Sequence, residues 1–241
     1  MKIIQLKETD STNRWLQENG GEEDVAVVTD YQSAGCGQKG NVWESEAGKN
    51  LLFSILIHPQ NVPAHRQFVL SELIALAVSD VLGKYTEGIC VKWPNDIYWH
   101  DRKICGILIE NRLQGKGIRD SILGVGVNVN QDVFRSDAPN PVSLKMITGR
   151  EYDLRVLMDE IMASFSRYYC LVEQGEYEHL HEEYLQSLYR REGFYPYRDA
   201  SGPFEAKISR IEEDGHLVLT DTDGRSRRYA FKEVECEKVK K

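Results

Sequence analysis

Apolar positions along the chain follow two rhythms. Strand-like runs come first: "IIQL" at 3–6, "DVAVVTDY" at 24–31, and "NLLFSILIHP" at 50–59, which is apolar almost throughout and reads as a strand covered on both faces. Between the first two lies "DSTNRWLQENG", where Asp10 or Ser11 is a helix cap and Gly20 a stop. Residues 64 to 84 follow Pro63 and carry Phe68, Leu73, Leu76 and Leu82 among alanines and valines, which predicts a long buried helix. "ICVKW", "DIYWH" and "KICGILIEN" predict three short strands, joined by a turn at Pro94-Asn95 and a hairpin at His100-Asp101-Arg102. "SILGVGVNVN" predicts another strand. Helical spacing of Leu154, Leu157, Ile161 and Phe165, capped by Asp153, predicts helix from 153 to 190.

Past Gly193 the rhythm changes to short alternating runs broken by Ser-Gly and Asp-Gly turns, the pattern of a small β module. The expected division is residues 1–191 and 192–241. Hairpins beside long helices point to an α+β fold with a mixed or antiparallel sheet packed with helices.

Composition narrows the function. At 41% hydrophobic and 28% charged, the 241 residues make an ordinary globular core. No apolar run approaches the ~20 residues of a membrane span, and the N-terminus lacks the apolar stretch of a signal peptide. Five scattered cysteines without a C-x-x-C pair fit reduced thiols in a cytoplasm, with neither a disulfide frame nor a zinc site. A net charge of -8 argues against a nucleic-acid partner. Any anionic ligand must therefore meet local positive charge, and Lys39, Lys49, Lys92, Arg102 and Lys103 all lie in the first half.

Two stretches carry candidate chemistry. "AGCGQKG", residues 34–40, places Lys39 within a permissive backbone whose N–H groups can meet an anion. It matches neither the P-loop pattern nor the dinucleotide fingerprint. In "VKWPNDIYWHDRKICGIL", residues 91–108, Lys92, Asp96 and Lys103 fall on adjacent hairpin strands. That pattern suits phosphate neutralisation by the lysines and proton acceptance by the carboxylate.

The second stretch resembles the K-W-P-N-D and K-x-G-x-L signature of biotin protein ligases. "DSTN" at 10–13, the glycine loop at 31–40 and "GVGVNVN" at 124–130 resemble that family's other motifs, in the same order. The resemblance implies a class II synthetase-like catalytic domain of the biotin/lipoate ligase type, with a small C-terminal SH3-like barrel. It implies formation of biotinyl-5′-AMP from biotin and ATP with Mg2+, then transfer of biotin to a lysine of a carboxyl-carrier domain. By resemblance, Ser11, Thr12, Asn13 and Gln32 hold the ureido ring, while Gly35, Cys36 and Gly37 close over biotin and Gly106, Gly124 and Gly126 clear space for it. Gln38, Lys39, Gly40, Trp43, Asn50, Lys92, Lys103 and Asn128 are the expected ATP and adenylate residues. Lys103 contacts the carboxylate and α-phosphate, and Asp96 is the expected proton acceptor. The resemblance departs at Cys36, where the family usually has arginine, so a bidentate guanidinium contact is missing. The expected chain is a short form without an N-terminal DNA-binding domain, acting on a carboxylase carrier domain with no DNA or membrane partner. Pairing of two chains through a sheet edge is within what the resemblance implies. A lipoate or octanoate ligase or transferase is the alternative enzyme, and a biotin-binding module without activity or a transcriptional regulator are the other classes.

Overall fold

The computed structural model describes residues 1–37, 42–135 and 140–237. The larger part runs β1 (Lys2–Leu6), α1 (Thr12–Asn19), β2 (Val25–Thr29), β3 (Leu51–Ile57), α2 (Val69–Gly83), β4 (Ile89–Lys92), β5 (Asp96–Trp99), β6 (Arg102–Gln114), β7 (Gly117–Val127), α3 (Leu144–Thr148), α4 (Leu154–Gln174) and α5 (Tyr177–Gln186). Its strands form one sheet in the order β1-β2-β3-β7-β6-β5-β4. Only β1 and β2 run parallel; the other pairs are antiparallel.

Every residue of β3 is buried, because both faces of the sheet are covered. Leu51, Phe53, Ile55 and Ile57 join the main core with α2 and α4. Leu56 instead packs beneath α1 with Leu16, Val27 and Ile122. Ser54 lies on that same α1 side, fully buried. The strand's even and odd positions thus face different helices, as the pleat requires.

Two helical expectations are corrected. Residues 64–84 are not one helix: a 3-10 turn at Ala64–Arg66 precedes α2. Backbone pairing of Pro63 with Gly117, and Ala64 N–H donating to Lys116 O, hold this segment to the β6–β7 hairpin instead. Residues 153–190 are two helices. Gly175 adopts φ +77°, the left-handed conformation that ends α4, and its N–H meets the last carbonyls of that helix. Of the two cap candidates for α1, Ser11 takes the cap position, although its hydroxyl makes no capping bond. Asp10 instead accepts from Ser11 N–H and pairs with Arg14.

The C-terminal residues form β8 (Tyr195–Asp199), β9 (Gly202–Ile211), β10 (Leu217–Asp221), β11 (Ser226–Tyr229) and β12 (Glu235–Cys236), an antiparallel sheet ordered β11-β10-β9-β8-β12. This is the expected α+β architecture with a small β module. The two sheets share one apolar core, in which Tyr197, Ile211, Leu217 and Tyr229 continue the cluster around α2 and α5. Trp93 Nε1 donates to Gly215 O at 2.9 Å, and Arg66 pairs with Glu213 at 2.6 Å. No helix among the described residues is long and apolar enough to cross a membrane.

Candidate active site

A cleft of about 1660 Å³ opens between the first sheet and the C-terminal module. Its polar end is the start of α1 with Gln32, its middle is the β5–β6 hairpin, and its far wall includes Tyr197, Phe231 and Val234.

The polar end is tightly bonded. Thr12 N–H donates to Gln32 Oε1 at 2.7 Å, and Thr12 Oγ1 lies 3.1 Å from the same oxygen. Asn13 Nδ2 donates to Glu110 Oε2 at 2.7 Å. Ser54 Oγ sits 2.6 Å from both Thr12 Oγ1 and Asn13 Oδ1. Ser11, Thr12 and Asn13 are all buried. The antiparallel register places Gly124 beside Ser54 on one side and Leu108 on the other. A Cβ on Gly124 would lie 2.1 Å from Asn13 Oδ1, so the missing side chain is what lets Asn13 reach the sheet.

Glycines also form the cleft floor. Gly106 and Gly126 are direct cross-strand partners. Trp43 lies across both: a Cβ would come within 2.6 Å of its ring at Gly106 and 2.5 Å at Gly126. Trp43 N–H donates to Gly35 O, and Cys36 bridges Val42, so the ends of the glycine loop meet above this floor. Cys36 is exposed at the cleft edge, its Sγ 3.1 Å from Ala34 O. Gln38, Lys39 and Gly40 lie outside the described residues.

Lys103 Nζ pairs with Asp96 Oδ2 at 2.7 Å, and both line the cleft. The hairpin expected from the sequence achieves this: β5 and β6 lie side by side, with a register shift between Ile97 and Tyr98. Lys103 also stands 5.7 Å from the centroid of the Trp43 ring. Lys92 Nζ donates to Tyr98 Oη at 3.3 Å. Burial pushes the Tyr98 hydroxyl up to about 12 and also raises the buried Cys105 thiol, so both stay protonated near neutrality.

The structure thus gathers a polar seat, a glycine floor and an ion pair from the separate motifs into one cleft. A family model described as the Biotin/lipoate A/B protein ligase family matches residues 3–128. The chain belongs to that family. The bifunctional ligase/repressor BirA of Bacillus subtilis is 30% identical over 237 residues, covering 93% of this chain and 70% of that protein. The biotin–[acetyl-CoA-carboxylase] ligase of Paracoccus denitrificans is 28% identical, covering 91% and 95%. The biotin protein ligase from Aquifex aeolicus, solved in complex with biotin and ATP, superposes with a TM-score of 0.81 at 25% identity, over 99% of both chains.

Within this ligase fold, not every expected residue lines the cleft. Ser11, Thr12, Asn13, Gln32, Cys36, Gly37, Trp43, Lys92, Asp96, Lys103, Gly106 and Gly124 do. Gly35 lies behind Trp43, 2.9 Å from its carbonyl oxygen if given a Cβ. Asn50 is buried behind the cleft, where its Nδ2 donates to Gln131 Oε1 at 2.6 Å and its Oδ1 accepts from Val129 N–H. Asn128 is buried with its Oδ1 unpartnered, and its N–H donates to Ile104 O.

The sequence reading missed three residues around the site. Ser54 and Glu110 hold the polar end from behind. Arg190 lines the cleft where α5 gives way to β8, and its Nη1 donates to Glu237 O at 2.8 Å. A lone serine inside "LLFSILI" is the one signal that pointed to any of them; its partners lie more than forty positions away, beyond any local pattern.

Proposed function

We propose that this chain is an ATP-dependent biotin protein ligase, which joins biotin to AMP as a mixed anhydride and then passes biotin to a lysine of a carboxyl-carrier domain. The observation that carries this reading is the Lys103–Asp96 pair, set in one cleft with the bonded seat of Thr12, Asn13 and Gln32. A ureido ring offers one carbonyl and two N–H groups, which such a seat can match with donors and acceptors. The dithiolane ring of lipoate has neither group, and the names of the relatives also favour biotin.

In the first step a biotin carboxylate oxygen attacks the α-phosphorus of ATP. The bond to the bridging oxygen breaks, and pyrophosphate leaves. Negative charge grows on the phosphate oxygens, where the Lys103 ammonium stabilises it, with Lys92 as a second local cation. Mg2+ enters with the nucleotide as part of the substrate, held largely by phosphate and water. Among the described residues no three His, Cys, Asp or Glu groups gather to hold a metal, which is in keeping with an ion carried by the nucleotide's own phosphates.

In the second step the carrier amine attacks the acyl carbon, the bond to the phosphate oxygen breaks, and AMP departs. An ordinary lysine, with pKa about 10.4, must first lose a proton. Once phosphate engages Lys103, Asp96 is free to orient the incoming ammonium and accept that proton. Gly106 and Gly126 admit the flat Trp43 ring against the sheet, where it walls the cleft beside Lys103. Asn50 acts at one remove, accepting from Val129 N–H and donating to the Gln131 side chain. The acidic net charge supports a protein partner rather than DNA.

Calorimetric titration of the purified chain with biotin and with lipoate tests the reading. Saturable binding of biotin with no response to lipoate is expected. Preference for lipoate overturns it.

A further inference from the structure

The turn that carries Asp96 is held from outside. Lys92 and Asp96 face each other where β4 and β5 pair, and Trp93, Pro94 and Asn95 make the loop between them. Pro94 has no N–H, so this loop has one backbone donor fewer with which to hold itself. Each of its residues is bonded instead to a different element. Trp93 Nε1 donates to Gly215 O of the C-terminal module at 2.9 Å, and Asn95 Nδ2 donates to Ile107 O on β6 at 3.2 Å. Pro94 O accepts from Tyr184 Oη at 2.7 Å, the shortest of these bonds.

Tyr184 stands on α5, is fully buried and does not line the cleft, so it acts on no ligand directly. Its ring meets Phe68 edge-on at 5.5 Å, which limits where the hydroxyl can point. Burial raises the phenol well above its ordinary value, so it stays a donor near neutral pH. The chain just beyond grips the strand that leads into the loop: Val91 N–H donates to Ser187 O and Tyr189 N–H donates to Val91 O, both at 2.8 Å.

The acid and the lysines depend on this hold to different degrees. The Asp96 carboxylate hangs from the backbone by a single methylene, so it follows any shift of the loop. Lys92 reaches the cleft on a flexible four-carbon stem that can absorb such a shift, and Lys103 starts from β6, outside the loop.

We propose that Tyr184 is a positioning residue for biotin transfer, whose hydroxyl holds the Pro94 carbonyl and thereby sets the place of the Asp96 carboxylate. The proposal rests on the reading of Asp96 as the group that accepts the proton of the carrier amine.

Tyr184→Phe removes the hydroxyl and keeps the ring. Single-turnover labelling gives the rate of transfer from pre-formed biotinyl-5′-AMP to a carboxylase carrier domain, and pyrophosphate release gives the rate of adenylate formation. Transfer should slow about tenfold or more, because a misplacement of about 1 Å can cost about a hundredfold, while adenylate formation stays within about twofold. In the Asp96→Ala background the same change at Tyr184 should alter transfer by about twofold or less, since the group it places is gone. A merely loosened fold would slow both steps by one factor, or slow transfer as much in Asp96→Ala as in the wild type; either result overturns the proposal. Transfer at the wild-type rate in Tyr184→Phe also overturns it. Transfer at the wild-type rate in Asp96→Ala alone removes the reading on which it stands.

Discussion

Gly124→Ala isolates the close approach of α1 to the sheet. The φ of Gly124 is not positive, so alanine brings no backbone strain, and any effect must come from the added methyl. That methyl would lie 2.1 Å from Asn13 Oδ1 and 2.8 Å from its Cγ, closer than any real Cβ contact. The amide must withdraw, and it takes with it the bonds to Ser54 and Glu110. Bonds of these kinds contribute about 0.5–1.5 kcal/mol when neutral and about 1.5–3 kcal/mol to a charged group. Because Glu110 lies near the surface, the lower ends apply, and the loss is about 2 kcal/mol. At about 2–4 °C per kcal/mol for a chain of this size, the melting temperature should fall by roughly 4–8 °C. If the displaced amide also disturbs the seat, biotin affinity should fall about tenfold, the equivalent of about 1.4 kcal/mol. Scanning calorimetry and biotin titration are to be run on Gly124→Ala, Asn13→Ala and the double variant. If the clash is with Asn13, the double variant should be no worse than Asn13→Ala alone. Additive losses in the double variant would refute this reasoning.

Lys103→Ala should lower pyrophosphate release from biotin and ATP by about a hundredfold or more while sparing biotin binding; release at the wild-type rate would contradict its role. Asp96→Ala should slow transfer from pre-formed biotinyl-5′-AMP to the carrier lysine more than it slows adenylate formation, as read by single-turnover labelling. Stability should also depend on pH through Glu72 and His181, whose Nδ1 lies 2.6 Å from Glu72 Oε1. The hydrogen bond to Glu72 raises the histidine above its ordinary value, so its contribution is complete below about pH 6.5 and is lost as pH rises through the raised value. The stability difference between wild type and Glu72→Gln should therefore shrink from pH 6 to pH 9 in thermal melts; a difference constant across that range would contradict the pairing.

What could be read in the sequence was local. Lys92, Asp96 and Lys103 could be placed together because Pro94-Asn95 and His100-Asp101 mark the turns that fold their strands onto one another. The helix start at "DSTN" was legible in the same local way, whereas the glycines expected to clear space for a ligand instead admit Trp43 at Gly106 and Gly126 and Asn13 at Gly124. The break at Gly175 was overlooked because Leu180 and Tyr184, both buried, prolong the apolar rhythm beyond it. The short helix α3 announces itself only through Ser143, whose side chain caps it, and Gly149, which ends it at φ +74°. Ser54 and Glu110 act on Asn13 from strands 41 and 97 residues away in the chain. Such contacts exist only once β3, β7 and β6 have paired, and no spacing rule reaches across them. The shared core of the two sheets is of the same kind: the turn signals after Gly193 mark a module, yet its apolar faces carry no sign of what they pack against.

The most direct measurement is labelling of a carrier domain. Purified chain, biotin, MgATP and a carboxylase carrier domain should together add one biotin to one lysine of the carrier, as seen by intact-mass spectrometry and peptide mapping. The label should vanish when ATP is omitted or when that lysine is replaced. A carrier left unmodified by a chain that binds both biotin and ATP would contradict the account.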